Sequence, residues 1–251
     1  DEIAEQASKI LKIYLTGREF VDIEGPTGLE QGGISTGRLL VPEKQNQKGI
    51  HYGLREFLPF VETRKSFELD IWELDNLSRG AKDIELESLE KAAKEIALFE
   101  DNAIYKGFAE GQIKGVENSA SRTPVKIPDD PNEFLKSIGS EVIKMKKDGI
   151  EEPYSLVINE KKWQDLINLS KGYPILKQLE EIIKGKIVLN HSNNNSNSLL
   201  VSERGDDFEL TLGQDISIGY ESHTNKKVKL FFSETFTFRV LTPEAVSILK
   251  E

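Results

Sequence analysis

Three histidines, scattered carboxylates and two tryptophans are the side chains here that could do chemistry, and their spacing argues against most of it. His51, His191 and His223 each fall in a stretch read as a turn or exposed strand, and none is paired at zinc-site spacing. Cysteine is absent, which removes disulfides and thiolate metal sites. No nucleophile elbow, phosphate-binding loop or Gly-x-Gly-x-x-Gly turn is assigned. Asp70, Glu73 and Asp75 have the types for metal binding or acid–base work, but they precede a helix. There, acidic side chains favour the positive end of the dipole, so they are read as structural. Glu100-Asp101 is read as a solvated helix face and Asp206-Asp207 as a turn. Trp72 has two readings. Placed near Arg64, it would offer an aromatic and cationic surface to a flat anion such as a flavin; otherwise it fills the junction between a strand and the next helix. Trp163 is assigned to the core or to an interface.

These groups need elements to hold them. Ile3, Ala7, Ile10, Leu11 and Tyr14 share one face at helical spacing, so the chain opens as a helix. Because it begins at Asp1 and is helical at once, an upstream segment is expected. Phe20, Val21 and Ile23 predict a short strand ending at Gly25-Pro26, and residues 27–36 an irregular connection. Two extended runs, Arg38–Val41 and Ile50–Phe60, flank a polar tip at 43–49 and predict a long hairpin. A two-stranded hairpin is marginal alone in water. This one carries Leu39, Leu40, Val41, Tyr52, Leu54, Phe57, Leu58 and Phe60. So much apolar surface calls for a partner, either its own domain or a neighbouring subunit.

Residues 67–80 begin as a strand, break at the turn-prone Asp75-Asn76 and Arg79-Gly80, and lead into the longest helix, at 84–108. Residues 111–131 read as a linker. A second helix carries Phe134, Leu135, Ile138, Val142 and Met145 and ends at Asp148-Gly149, where glycine suits the position after the last turn. Beyond it come a strand at Tyr154–Ile158 and helices at Lys161–Leu169 and Pro174–Lys184. Strands at Ile187–Leu189, Leu199–Ser202, Phe208–Leu212, Ile216–Tyr220 and Val228–Val240 follow, and the polar tract Asn190–Ser198 is a loop. The class is α+β.

At 251 residues the chain can bury one large core or two modest ones. A net charge of −10 argues against a nucleic-acid surface. No apolar run approaches the roughly 20 residues that span a bilayer, and no signal peptide is visible, so no membrane is expected and the cytoplasm is. Lysine far exceeds arginine and glutamate far exceeds aspartate, a bias reported for hyperthermophiles, and a thermophile source is expected.

Three stretches in order resemble the encapsulins, which build icosahedral protein nanocompartments. They are Leu15-Thr16-Gly17-Arg18-Glu19-Phe20-Val21-Asp22-Ile23-Glu24-Gly25-Pro26, then residues 67–80, then Leu212–Glu221 with Glu234-Thr235-Phe236-Thr237-Phe238. The resemblance implies the tailed-bacteriophage major-capsid fold. A peripheral domain would take residues 1–33, 62–123 and 223–251, with the spine helix at 84–108. An extended E-loop would take 34–61 and an axial domain 124–222. It also implies a function without catalysis: many copies of the chain enclosing a cargo. The expected cargo is a ferritin-like ferroxidase storing iron, fused upstream in some archaeal relatives, and no cofactor is expected in the shell itself. By the same resemblance Leu39, Val41, Tyr52, Leu54, Phe57 and Phe60 meet a neighbouring subunit. Ser170, Lys171, Gly172 and Tyr173 line a fivefold pore, while Ile10, Tyr14, Arg18 and Asp22 face inwards to dock cargo. Two rivals remain at this point, a capsid protein of a virus or provirus and a soluble hydrolase.

Overall fold

A computed structural model describes residues 2–43, 49–128, 130–168, 174–192 and 197–250. The opening helix, α1 (Glu2–Tyr14), forms where its apolar face predicts and is followed by a tight 3-10 turn, Gly17–Glu19, and a short strand β1 (Asp22–Glu24). The hairpin is β2 (Gly33–Leu40) and β3 (Leu54–Pro59), and β4 (Val61–Asp70) continues from it. Strand β2 starts inside the stretch read as irregular.

Where the sequence suggested a polar break, the chain forms a helix, α2 (Ile71–Ser78). The reason is local. Asp70 keeps extended geometry and its carboxylate accepts the Trp72 backbone N–H at 2.8 Å, which caps α2. Asp75 and Asn76 therefore lie within a turn of helix, and the break falls at Arg79-Gly80. The spine helix α3 (Glu87–Tyr105) follows and stops at Gly107, whose φ of 92° suits glycine.

The presumed linker also has structure: the pair β5 (Gly107–Phe108) and β6 (Ile113–Lys114), a turn of helix α4 (Val116–Ser119) and β7 (Val125–Lys126). Next come α5 (Pro131–Lys147), β8 (Tyr154–Asn159), α6 (Glu160–Asn168), α7 (Ile175–Ile183), β9 (Ile187–Asn190) and β10 (Ser198–Ser202). The two strands read at 208–220 are one long strand, β11 (Phe208–His223), with three register shifts that absorb its irregular middle. It turns into β12 (Lys227–Val240), and β13 (Val246–Lys250) ends the chain.

Two main sheets result. One has the order β1-β11-β12-β4, and the other β7-β13-β10-β8-β9. In the second, β10 runs antiparallel to β8 and β13, whereas β8–β9 and β13–β7 are parallel. These pairings cut across the expected boundary at residue 222. Strand β11 belongs with β12, β4 and β1, while β13, expected in the last peripheral segment, pairs inside the axial sheet. Long-range pairing is invisible to periodicity, so the division at 222 was drawn in the wrong place for both strands.

Burial crosses that division. One apolar cluster packs α5, α7 and the five-stranded sheet, runs into the end of α3, and takes in Phe208, Leu210 and Leu212 of β11 with Phe236 and Phe238 of β12, so it joins the two sheets. The other joins α1 and the first half of α3 to Phe67, Leu69 and Phe232 of the four-stranded sheet. Helix α1 is held by this second cluster, in which Ala7 is buried.

Candidate assembly interface and the buried network beside it

The hairpin strands pair antiparallel, Gly33 opposite Pro59 and Leu40 opposite Leu54, with a register shift between Ser35 and Leu39. The body of the protein does not cover the apolar side chains predicted here. Leu39 is 56% exposed, Val41 60%, Leu54 63% and Phe57 51%, with Tyr52 at 42%. Phe60 differs: it is half-buried, and its ring lies so close to Gly213 that a Cβ there would sit 3.0 Å from Cδ2. The expectation that Phe60 faces a neighbour is thus corrected, because its own body already packs most of it. Between the hairpin base, β5–β6 and the end of β12 runs a groove of about 820 Å³ lined by Arg38, Glu56, Phe57, Lys106 and Lys114. Arg38, Lys106 and Lys114 make no ion pair among the described residues, although the chain carries a net charge of −10.

The other candidate sites divide sharply. Ser170, Lys171, Gly172 and Tyr173, read as pore-lining, lie outside the described residues. Trp72 stands on α2 and is 67% exposed, so it neither fills the strand–helix junction nor meets Arg64. The Arg64 guanidinium lies over the Phe231 ring instead, 4.0 Å from its centroid. Arg64 and Asp70 are six strand steps apart, about 20 Å along β4, so no joint flavin surface forms between Arg64 and Trp72. Asp70 caps α2, and Glu73 accepts from Asn76 Nδ2 at 3.1 Å and from the Glu85 backbone N–H at 3.2 Å, in keeping with structural carboxylates. One stretch, Gly33-Ile34-Ser35-Thr36-Gly37, does spell the Gly-x-Ser-x-Gly pattern. It lies along β2 with Ser35 opposite Phe57, not at a strand-to-helix elbow, and no histidine contact accompanies it. Among the described residues, no group of three or more histidine or acidic side chains could hold a metal ion.

The four residues expected to dock cargo are spread over different surroundings. Ile10 packs against the cluster under α1. Tyr14 sits edge-on to His191 at 5.3 Å between ring centroids, with Lys94 Nζ 4.8 Å from its ring centre. Asp22 accepts the Asp206 backbone N–H at 2.6 Å. Arg18 is not left exposed for docking, as the resemblance implied: its side chain is 17% exposed and turned into the fold. Its Nη2 donates to Glu100 Oε2 at 2.5 Å and to Glu234 Oε1 at 2.9 Å, its Nε to Glu100 Oε1 at 2.8 Å, and its Nη1 meets Asp215 at 3.0 Å. Next to it Asp101 accepts from Thr16 Oγ1 at 2.5 Å and from the Gly17 backbone N–H at 2.8 Å. Thr16 Oγ1 also lies 3.0 Å from the Tyr105 hydroxyl.

Gly17 packs closely on the spine helix: a Cβ there would come 2.8 Å from Ile104 Cδ1, so the isoleucine side chain would have to shift. The turn thus presses directly on the spine helix. Glu100 and Asp101 are fully buried, which overturns the solvated-face reading. A signal was present in the sequence: Leu89, Ala93, Ile96, Glu100 and Ile104 recur at three-and-four spacing, which places Glu100 on the apolar stripe. Burial pushes the Asp101 carboxyl up to about 7, against the hydrogen bonds from Thr16 and Gly17 that favour its charge. Burial, and then the charge of Glu100, hold Glu234 well above the usual carboxylate range. Arg18 stays charged: burial opposes it, but the hydrogen bond and charge of Glu100 outweigh that cost.

An axial sheet, a spine helix beside a second sheet, and a protruding hairpin define a capsid-fold protein. The virus-like particle from Pyrococcus furiosus superposes with a TM-score of 0.67 at 16% identity, covering 99% of this chain and 98% of that one. The capsid of Myoviridae Phage XM1 does so at 0.62 and 13% identity, over 94% and 91%. Within that class the sequence is specific. The family described as "Encapsulating protein for peroxidase" matches residues 1–237. The type 1 encapsulin shell protein of Rhodococcus erythropolis is 37% identical over 246 residues, 98% of this chain and 92% of that one. The chain belongs to the encapsulin shell proteins. It is a shell component, not an enzyme.

Proposed function

We propose that copies of this chain assemble in the cytoplasm into a closed icosahedral shell enclosing a ferritin-like ferroxidase, with each hairpin laid across a neighbouring copy. The observation that carries the assembly is the hairpin, whose Leu39, Val41, Leu54 and Phe57 are each more than half exposed. Fully burying a leucine or phenylalanine contributes roughly 1.5–3 kcal/mol. Covering four half-exposed ones supplies a few kcal/mol per copy, and closed symmetry repeats the contact. The groove cations Arg38, Lys106 and Lys114 extend that contact towards an acidic surface of the next copy.

One observation supports iron as the stored material: a net charge of −10 per subunit concentrates cations at the shell. The family description names a peroxidase, which supports an enclosed enzyme and makes a peroxidase the rival cargo. Residues 170–173 are proposed as the pore. The cargo surface is proposed beside Ile10, Tyr14 and Asp22, where Ile13 and Ile23 add exposed apolar area. Imaging and mass spectrometry of particles from the native host test the reading. Uniform hollow spheres holding iron and a ferritin-like protein are expected. A peroxidase without iron overturns the cargo but leaves the shell, packaged nucleic acid favours a viral capsid, and a lone subunit overturns the shell.

A further inference from the structure

Beneath the turn that joins α1 to β1, one guanidinium meets more carboxylates than it can neutralise. Arg18 faces Glu100, from the spine helix, and Glu234, from β12, both fully buried, together with the half-exposed Asp215 of β11. Asp101, also fully buried, adds a fourth carboxyl beside Glu100, and the Tyr105 hydroxyl of the same helix closes that side. The turn itself contributes Thr16, the Gly17 N–H and Glu19, of which Glu19 is turned to Lys186 at 2.9 Å. No second cation reaches Glu100 or Glu234 among the described residues.

Glu100 Oε2 and Glu234 Oε1 accept from the same Arg18 nitrogen, at 2.5 and 2.9 Å, so the two buried carboxylates converge on one N–H group. Glu234 Oε2 is buried and has no donor among the described residues. Two ionised carboxylates cannot be held face to face in a low-dielectric site under one positive charge. The guanidinium already occupies the space a metal ion would need, so a proton is the species that completes the set.

We infer that Glu100 and Glu234 share one proton, and that this proton keeps the Thr16–Glu19 turn, and with it the N-terminal helix, docked on the spine helix. Burial and the neighbouring charge of Glu100 act in the same direction on Glu234. Burial holds that proton on Glu234 well above the usual carboxylate range, and it leaves only when the pH is raised past that point. Glu100 and Glu234 then repel across Arg18, and the turn loosens together with α1, which is otherwise held by the apolar cluster around Ala7, by Gln6 donating to Glu90 and by Tyr14 against His191 and Lys94. The device lies under the helix proposed to face the cargo, but its existence does not depend on any cargo.

Two measurements on intact assembled protein test this. Infrared spectroscopy at about pH 8.5, above the range in which Asp101 titrates, should show the carbonyl band of a buried protonated carboxylic acid. The band should vanish in Glu234→Gln. Its absence from the wild-type protein overturns the proposal whether or not the variant folds. Hydrogen exchange of residues 2–24, corrected for intrinsic rates, should accelerate at least tenfold in the wild type as rising pH removes the carboxylic-acid band. In Glu234→Gln it should stay flat, because the amide accepts from Arg18 and donates to Glu100 without any proton to lose. A wild-type profile that is flat, or a variant profile that follows the wild type, overturns it. Intact shells throughout such a failure would leave the proposed function standing.

Discussion

Strands β8 and β10 are buried along their whole length, whereas the hairpin strands β2 and β3 are exposed along most of theirs. Both pairs are rich in the same apolar residues. The difference is in what covers them. Around β8 and β10 the chain supplies α5 and α7, so the sheet closes on itself. Around the hairpin it supplies a groove on one side and solvent on the other. One region stores stability within a subunit, and the other leaves apolar surface open, which the proposed function assigns to contact between subunits.

That contrast predicts which changes separate folding from assembly. Replacing Leu54 and Phe57 together by aspartate should abolish shells and leave a folded subunit of about 28 kDa, seen by sedimentation with an unchanged far-ultraviolet circular dichroism spectrum. Shells that persist would mean that the hairpin is covered from within. The reverse experiment is Leu200→Ala in the closed sheet. A buried leucine-to-alanine change costs about 2–5 kcal/mol, and it should lower the thermal midpoint of subunit and shell alike. A loss confined to assembly would contradict the division.

Asp101→Asn sharpens the same boundary from the network side. The Asp101 carboxyl is raised in the fold from 3.8 to about 7. Its contribution is therefore fully present below about pH 4 and is lost as pH rises through about 7. Melting curves of the wild-type subunit should show that loss across this window, and the asparagine variant should not. The smallest expected effect belongs to Lys106→Glu with Lys114→Glu. Assembly should weaken by about tenfold in critical concentration, with its salt dependence altered, while the subunit melts normally.

Much of the frame was legible, because α1, the hairpin and the helices of the axial part announce themselves by period. What stayed hidden depends on distant partners. Arg18 and Glu100 are 82 residues apart in sequence, and Arg18 and Glu234 are 216 apart, so nothing local tells that these charges meet in the interior. Glu100 alone gave a hint, by sitting on the stripe that Leu89, Ala93 and Ile96 trace. Strand β13 was misplaced for a similar reason, since its partners β10 and β7 are remote in sequence. Trp72 was misjudged in both readings: the Asp70 cap turns the chain into α2 and leaves the indole in solvent.

In the proposed shell, another copy covers the exposed apolar residues of the hairpin. Hydroxyl-radical footprinting of residues 49–59, read by mass spectrometry in assembled particles and in dissociated subunits, measures this directly. Leu54 and Phe57 should be strongly protected in the particle and freely labelled in the subunit. Equal labelling in both states would contradict the central claim.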